Sequence, residues 1–411
     1  MGNLREVVVV DAVRSAMGKS GRKGMEKGGQ LCQASAQDLV AAVMKGLLER
    51  VKAKAPNFDP REIEDVAVGC LSQIGEQGGN IARIASLLAG IPKEACGYTV
   101  NQYCNAGLKA INNAARAIRC GDGEIQVCAG VELMSHYGMG SDIQVAMQAN
   151  YPIRFTSRIQ EIGMAVPQGV CAEMISEEYG HTREDLDRFG LMSMQNATRA
   201  ARSGWHQDHI VPVEFEWEGK KYLAAEDETI RTKALDDPDG FLEDLGKLKP
   251  PFKPDGMVTA GNSSQIVDGA GAVLLMSAEK AEKLGLEPLC KITACAEAGG
   301  DPVPMLLAPI PACRKAMARS GRKIDDLDIL EPNEAFASPL LVFARELGYS
   351  YDDPRQNPTG GAIAMGHPIG ASGVVYFGEM CHHLKRTNGR AGMQMMCGGG
   401  GIGIATIVER V

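Results

Sequence analysis

The run Arg5-Glu6-Val7-Val8-Val9-Val10 passes from charged to apolar within two residues, and the apolar block predicts a buried strand over residues 7–12. Across residues 37–51 the apolar positions fall three and four apart, the spacing of an amphipathic helix. Arg61-Glu62-Ile63-Glu64-Asp65 then forms a charged approach to the short buried strand Val66-Ala67-Val68-Gly69. The same succession returns later in the chain. Residues 290–296 read as a strand, 312–320 as a helix, and Arg322-Lys323-Ile324-Asp325-Asp326 as a lead-in to Leu327-Asp328-Ile329-Leu330.

Each copy continues through a glycine-containing turn, a long helix and a β-type run. In the first, the helix starts near Cys104 and ends at Gly121 or Gly123, before a strand over 124–129. In the second, it starts after His367, and the closing strands are 392–397 and 402–409. Strands alternating with helices predict an α/β layered fold of two duplicated halves, with an active site expected between them. Residues 135–255 break the pattern with charge-rich stretches, Trp205, Trp217 and Asp236-Asp237-Pro238-Asp239-Gly240, and read as an inserted loop domain. The first half is then 1–134, completed by 256–283, whose apolar run 272–276 is its last strand; the second half is 284–411.

The chain's 411 residues suit two or three domains. A formal charge of −8 and a pI near 5.5 oppose a general phosphate-binding surface, so no nucleic-acid partner is expected. No apolar stretch approaches the roughly 18 residues of a membrane helix, and no membrane partner is expected. The first strand begins too early for a signal segment, and Glu409-Arg410-Val411 does not match a peroxisomal address. The 12 cysteines contain no C-x-x-C pair and read as reduced thiols, which makes the cytoplasm the expected location.

Chemistry enters at Asn101-Gln102-Tyr103-Cys104-Asn105-Ala106-Gly107, where Cys104 stands at a predicted helix start that favours thiolate over thiol. A buried inert cysteine is the competing reading. His367, in Gly366-His367-Pro368-Ile369-Gly370-Ala371-Ser372-Gly373, occupies the matching helix start of the second half. It can therefore face Cys104 and take its proton, or simply cap a helix. Cys397 opens Cys397-Gly398-Gly399-Gly400-Gly401-Ile402-Gly403. The run fits G-x-G-x-x-G only as any polyglycine does, because a strand follows it instead of a helix. Its glycines suit backbone N–H groups approaching a ligand oxygen. Asn333, at a strand end, can hold a water or a carbonyl, or serve as a turn or cap.

Other motifs carry less. Met17-Gly18-Lys19-Ser20 lacks the leading glycine of a phosphate loop, and Gly261-Asn262-Ser263-Ser264-Gln265 lacks the second glycine of a serine-nucleophile elbow. His206 and His209 have no carboxylate or cysteine at ligand spacing, and His382 and His383 are adjacent on a helix, so no metal is expected.

Together, Cys104-Asn105-Ala106-Gly107, Asn333-Glu334-Ala335-Phe336, Gly366-His367-Pro368 and Cys397-Gly398-Gly399, in that order, resemble the thiolase family. Val13-Arg14-Ser15-Ala16-Met17-Gly18, Gly130-Val131-Glu132-Leu133-Met134-Ser135, residues 257–264 and Asp268-Gly269-Ala270 extend the resemblance over nearly the whole chain. It implies a five-layered αβαβα fold, a homodimer or homotetramer, and an acyltransferase that cleaves a 3-oxoacyl-CoA to acetyl-CoA and a shortened acyl-CoA, or runs the reverse Claisen condensation. Coenzyme A would be a co-substrate, with no permanently bound cofactor. By the resemblance, Cys104 is the acylated nucleophile, His367 its activator and Cys397 the acid/base. One oxyanion site combines His367 with a water held by Asn333, and the other uses the N–H groups of Cys104 and Gly399. Arg231 would meet the adenine nucleotide, Ala260 and Ser264 the pantetheine, Ala335 and Phe336 the thioester end, with Gln168 also at the substrate. Pro167-Gln168 departs from the family's common His-Met pair, and Asn105 from its usual serine or glycine. A ketoacyl synthase would normally have one cysteine and a second histidine or asparagine, and a non-catalytic thiolase-like scaffold would have lost Cys104, His367 or Cys397. Cys397 argues against the first, and none of these three residues is lost.

Overall fold

Twelve strands are present among the described residues of this computed structural model, which are 4–20, 28–152, 157–164 and 166–411. They are β1 (Val7–Arg14), β2 (Gly18–Lys19), β3 (Asp65–Gly69), β4 (Tyr98–Val100), β5 (Ile125–Leu133), β6 (Val213–Trp217), β7 (Lys220–Ala224), β8 (Val267–Ser277), β9 (Cys290–Gly299), β10 (Ile329–Pro332), β11 (Ala391–Gly398) and β12 (Ile402–Glu409). All but β6 and β7 share one sheet, ordered β10-β11-β12-β9-β1-β8-β5-β3-β4, with β2 attached to β8. From the β1–β9 junction outward, the arms β1-β8-β5-β3 and β9-β12-β11-β10 correspond strand for strand. Each makes two antiparallel steps and then a parallel one. Even β4 has a counterpart, a parallel bridge between Leu330 and Gln356. The duplication read from the sequence is thus realised as topology.

Strand alternation sorts side chains into layers. Val7 and Val9 of β1, with Ile404 and Val408 of β12, pack against Leu108, Ile111, Phe377 and Met380 of the helices Ala106–Cys120 and Ile369–Thr387. The opposite face of the first arm, including Val8, Val66 and Leu274, packs on Leu39, Val43 and Leu47 of the helix Ala36–Lys54. That of the second arm, including Met393 and Ile407, packs on Ile310 and Cys313 of the helix Pro309–Ser320. Helix, sheet arm, helix pair, sheet arm and helix are the five layers expected. The inner pair is packed on all sides, so residues 369–382 of the second helix are buried without a break.

Element ends differ from the sequence expectation where tertiary packing extends them. β5 runs to Leu133 because β8 pairs with it through Asp268. The helix at 309 starts earlier than predicted because Pro309 fits a first turn. The strand expected at 327–330 begins at Ile329, after a turn of 3-10 helix over Ile324–Asp326. Between β5 and β8 the chain forms the helices Ser141–Gln148, Ser157–Glu161, Gln168–Tyr179, Arg183–Arg202, Lys233–Asp236 and Pro238–Gly246 and the β6–β7 hairpin.

Candidate active site

The two inner helices meet at their N-termini, backbone to backbone. A Cβ on Gly107 would lie 2.9 Å from the Gly370 carbonyl oxygen. Only glycine permits this approach, which sets the two helix starts side by side.

Cys104 precedes its helix on a tight elbow. Tyr103 has φ +52°, a strained value for a bulky residue, and Asn101 Oδ1 accepts from its N–H at 3.1 Å. Asn101 Nδ2 in turn donates to the Leu71 carbonyl at 3.2 Å. The expected thiolate is not the resting state. Burial pushes the Cys104 thiol up to about 12, outweighing its own backbone N–H and the Gln168 side chain, which both favour the charged form. A helix start exposed to solvent lowers a thiol pKa, whereas this one is closed over.

His367 follows Gly366, whose φ of +110° lets the chain turn into the second helix beside Val267. Its Nδ1 lies 2.5 Å from Ser372 Oγ, and that hydroxyl donates to the Pro368 carbonyl at 3.0 Å. The single hydroxyl proton being spent there, Ser372 accepts from Nδ1–H, and Nε2 keeps its lone pair. Burial lowers the His367 pKa to about 4, so the ring is a neutral base. Asn333 Nδ2 lies 3.5 Å from His367 Nε2, while Asn333 Oδ1 is buried without a partner.

Cys397 ends β11 and lies close enough to Cys104 that charge there raises its pKa, though burial raises it more. The glycine run after it is a hairpin turn, since Gly398 pairs with Ile402 in the β11–β12 ladder. The rejected dinucleotide reading is thereby explained. A Cβ at Gly399 would touch the Tyr103 ring at 3.1 Å, so the turn presses on the Cys104 elbow. Asn105 joins the same contact: with its amide oriented so that the nitrogen faces acceptors, it donates to the Cys397 carbonyl at 3.0 Å.

Three supporting residues went unassigned in the sequence. Glu132, fully buried on β5, accepts from the N–H groups of Leu71, Ser72 and Gly370 and from Gln77 Nε2, all within 3.0 Å. It ties the loop under the Cys104 elbow to the His367 helix. Glu334 likewise accepts from Ser193, Asn357 and the Ile363 N–H, at 2.6, 2.6 and 3.0 Å. Ser372 is the third. A carboxylate inside an apolar strand was the legible signal for Glu132.

Two cavities open beside Cys104. One, of about 130 Å³, is lined by Cys104 and His367 together with Gln168, Ser264, Ala335 and Phe336. Residues 262–264 and 335–337 are stitched together there, with Ser264 N–H donating to the Ala335 carbonyl at 2.9 Å. The other, of about 840 Å³, is lined by Cys104, Gln168 and Gly399 and by apolar residues such as Leu71, Ile143, Met164, Val166 and Met305. Arg231 and Ala260 are exposed and line neither.

The reason for expecting no ligand set at His206 and His209 is overturned. Glu379, from the His367 helix, reaches both rings, a carboxylate 170 residues beyond His209 that local spacing cannot reveal.

Residues 7–279 match the family model described as thiolase, N-terminal domain, and residues 286–410 the one described as thiolase, C-terminal domain. The chain is 42% identical to a 3-ketoacyl-CoA thiolase of Marinobacter nauticus, covering 100% of this chain and 99% of that one. It is 39% identical to a beta-ketoadipyl-CoA thiolase of Pseudomonas aeruginosa, with 99% and 100% covered. The solved acetyl-CoA acetyltransferase of Bacillus anthracis superposes with a TM-score of 0.86 at 32% identity, each chain covered in full.

Proposed function

The chain belongs to the thiolase family and is an acyltransferase that cleaves or condenses CoA thioesters, and we propose that it works in the cleaving direction through an acyl group carried on Cys104. The observation that carries this is the shared cavity of Cys104 and His367. With a thiol raised to about 12 and an imidazole lowered to about 4, free ion-pair formation is disfavoured. The proton therefore leaves Cys104 for His367 Nε2 as sulfur bonds to the 3-oxo carbon. Once protonated, Nε2 becomes a donor. With a water on the open Asn333 Oδ1, it would stabilise the thioester oxygen of the departing acetyl-CoA enolate. The N–H groups of Cys104 and Gly399 would hold the oxyanion at the attacked carbon. Cys397 gives its proton to the enolate α-carbon and then takes one from the incoming CoA thiol, whose sulfur attacks the acyl carbon; the expelled Cys104 sulfur takes its proton back from His367 Nε2.

The apolar side of the larger cavity suits an acyl chain longer than acetyl, in keeping with a 3-oxoacyl-CoA substrate of fatty-acid β-oxidation. Residues 135–255 act as a covering domain, contributing Ile143, Met164 and Gln168 to this wall. Ser264, Ala335 and Phe336 meet the thioester arm, Ala260 the pantetheine and Arg231 the nucleotide. A homodimer or homotetramer is proposed, supported by β4 standing at the sheet edge. A cytoplasmic setting is proposed on the cysteine pattern, and no helix among the described residues is long and apolar enough to cross a membrane.

The test is turnover of 3-oxoacyl-CoA substrates of increasing length with CoA, followed by loss of the 3-oxo thioester. Cys104→Ala should abolish it, and peptide mapping after acyl-CoA treatment should find the acyl group on Cys104. Normal turnover by the variant, or an acyl group found only on another cysteine, would reassign the nucleophile.

A further inference from the structure

Away from Cys104, the helix Ile369–Thr387 carries a carboxylate that the reaction does not use. Glu379 is completely buried, and the rings of His206 and His209 converge on it. His209 N–H donates to the His206 carbonyl at 3.2 Å, closing one turn that sets both rings on the same side. His206 Nδ1 lies 3.1 and 3.3 Å from the two Glu379 oxygens, and His209 Nε2 lies 2.8 Å from Oε1. One donor atom from each residue falls within 4.8 Å of the others.

Zinc with ligands at about 2.0–2.1 Å in a tetrahedron separates its donor atoms by about 3.3 Å; the two imidazole nitrogens lie 3.1 and 2.8 Å from Glu379 Oε1, and all three donors fall within 4.8 Å. Two imidazoles and a carboxylate are also the ligand chemistry of that cation class. A purely hydrogen-bonded cluster fits less well. Arg14 Nε already donates to Glu379 Oε1 at 2.8 Å, so with both rings donating, one oxygen would take three donors while Oε2 keeps only the 3.3 Å contact. Charge is compatible with a cation. Arg14 also makes two 2.8 Å bonds to Asp227, so Arg14, Asp227 and Glu379 sum to one negative charge in a buried site, which a cation held by His206 and His209 would balance. A surface cavity of about 350 Å³, lined by His206 and Asp227, gives a route for a cation and a water ligand.

We propose that His206, His209 and Glu379 bind one divalent transition-metal ion of the zinc class, with Arg14 and Asp227 around it, fastening the segment after the helix Arg183–Arg202 to the helix that begins beside His367. His382, stacked on His209 at 4.7 Å and bonded through Nε2 to the Ala12 carbonyl at 2.7 Å, buttresses the site and is not a ligand.

The test uses the full chain, stripped with a chelator and alkylated at Cys104 to remove that thiol as a competing ligand. Titration with Co²⁺ should give one equivalent bound, visible ligand-field bands of a four-coordinate nitrogen/oxygen site, and displacement by Zn²⁺. His206→Ala and Glu379→Gln should each weaken binding by at least about 10–100-fold. The rise in melting temperature that Zn²⁺ gives the unmutated protein should vanish in His206→Ala. Substoichiometric binding to the unmutated chain, intense thiolate-to-cobalt charge transfer, or unchanged affinity in His206→Ala would each overturn the proposal.

Discussion

Gly373 stands so close to Leu108 that a Cβ on it would lie 2.2 Å from the Leu108 backbone nitrogen. This contact, between helices 265 residues apart in the chain, lets the elbow carrying Cys104 and the turn carrying His367 open on one cavity. Gly373→Ala must push the helices apart, since the neighbouring atoms are backbone and cannot rotate away. Overpacking of this kind costs about 1–3 kcal/mol. The expected outcome is a lower urea midpoint together with a reduced kcat. A variant with a normal midpoint and normal kcat would show that the close approach does not position the site.

Ser372 governs which nitrogen of His367 keeps its lone pair. Its hydroxyl is bound to the Pro368 carbonyl, so it can only accept from Nδ1–H. In Ser372→Ala that restraint is gone and the ring is free to protonate on Nε2, the nitrogen proposed to receive the Cys104 proton. We expect kcat to fall by about 10–100-fold, less than the roughly 10²–10⁴-fold of losing a general base outright, with little change in KM. A change confined to KM would assign Ser372 to packing instead.

His367 also predicts a pH dependence. Burial lowers its pKa from the ordinary 6.5 to about 4. Between these values the unfolded chain binds a proton that the folded one does not. The stability from burying the neutral ring is therefore complete above pH 6.5 and is lost as pH falls toward 4. The full effect is about 3 kcal/mol. Denaturant unfolding at pH 7, 5.5 and 4.5 should show wild type losing stability faster than His367→Asn by up to one proton's slope. Equal slopes, or a kcat/KM inflection near 6.5 that disappears in the variant, would contradict a buried neutral base.

The duplicated architecture was legible because strands and amphipathic helices impose period 2 and period 3.6 patterns that survive in both halves. Val7, Val8 and Val9 serve two different layers, and the apolar run shows that both faces of β1 are covered. Cys104, His367 and Cys397 could be marked because each sits at an element boundary flanked by glycine or a helix start. What the sequence hid was long-range. Glu379 reads locally as one polar residue on a helix, and only folding brings it to His206 and His209. The thiol state of Cys104 was misjudged for the same reason, because local sequence carries the helix start but not the closure that desolvates the sulfur.

Glu132 gives a fourth prediction. Its two oxygens take four N–H donors, two each, from the 71–77 segment and from Gly370. Glu132→Gln keeps the shape but turns one acceptor into a donor facing donors. Breaking charge-assisted bonds and leaving buried N–H groups unpaired costs about 1–3 kcal/mol each way. The variant should be less stable by several kcal/mol, read by denaturant unfolding, and slower because the loop under the elbow and the Gly370 end of the helix are released together.

The roles of the two cysteines are separable by isotope exchange. If Cys397 moves the α-carbon proton, Cys397→Ala should slow deuterium incorporation into acetyl-CoA from heavy water by about 10²–10⁴-fold. It should still accept an acetyl group on Cys104, though more slowly, because the nucleophile and His367 are untouched. Cys104→Ala should do the reverse, losing covalent acetylation outright. Both thiols are buried, and a charge on Cys104 raises the Cys397 pKa further, so two simultaneous thiolates are disfavoured, in keeping with the proposed use of the two in alternation. A Cys397→Ala enzyme with normal deuterium exchange would move the acid/base role to another group, and His367, which lines a cavity with Cys104, would be the first to examine.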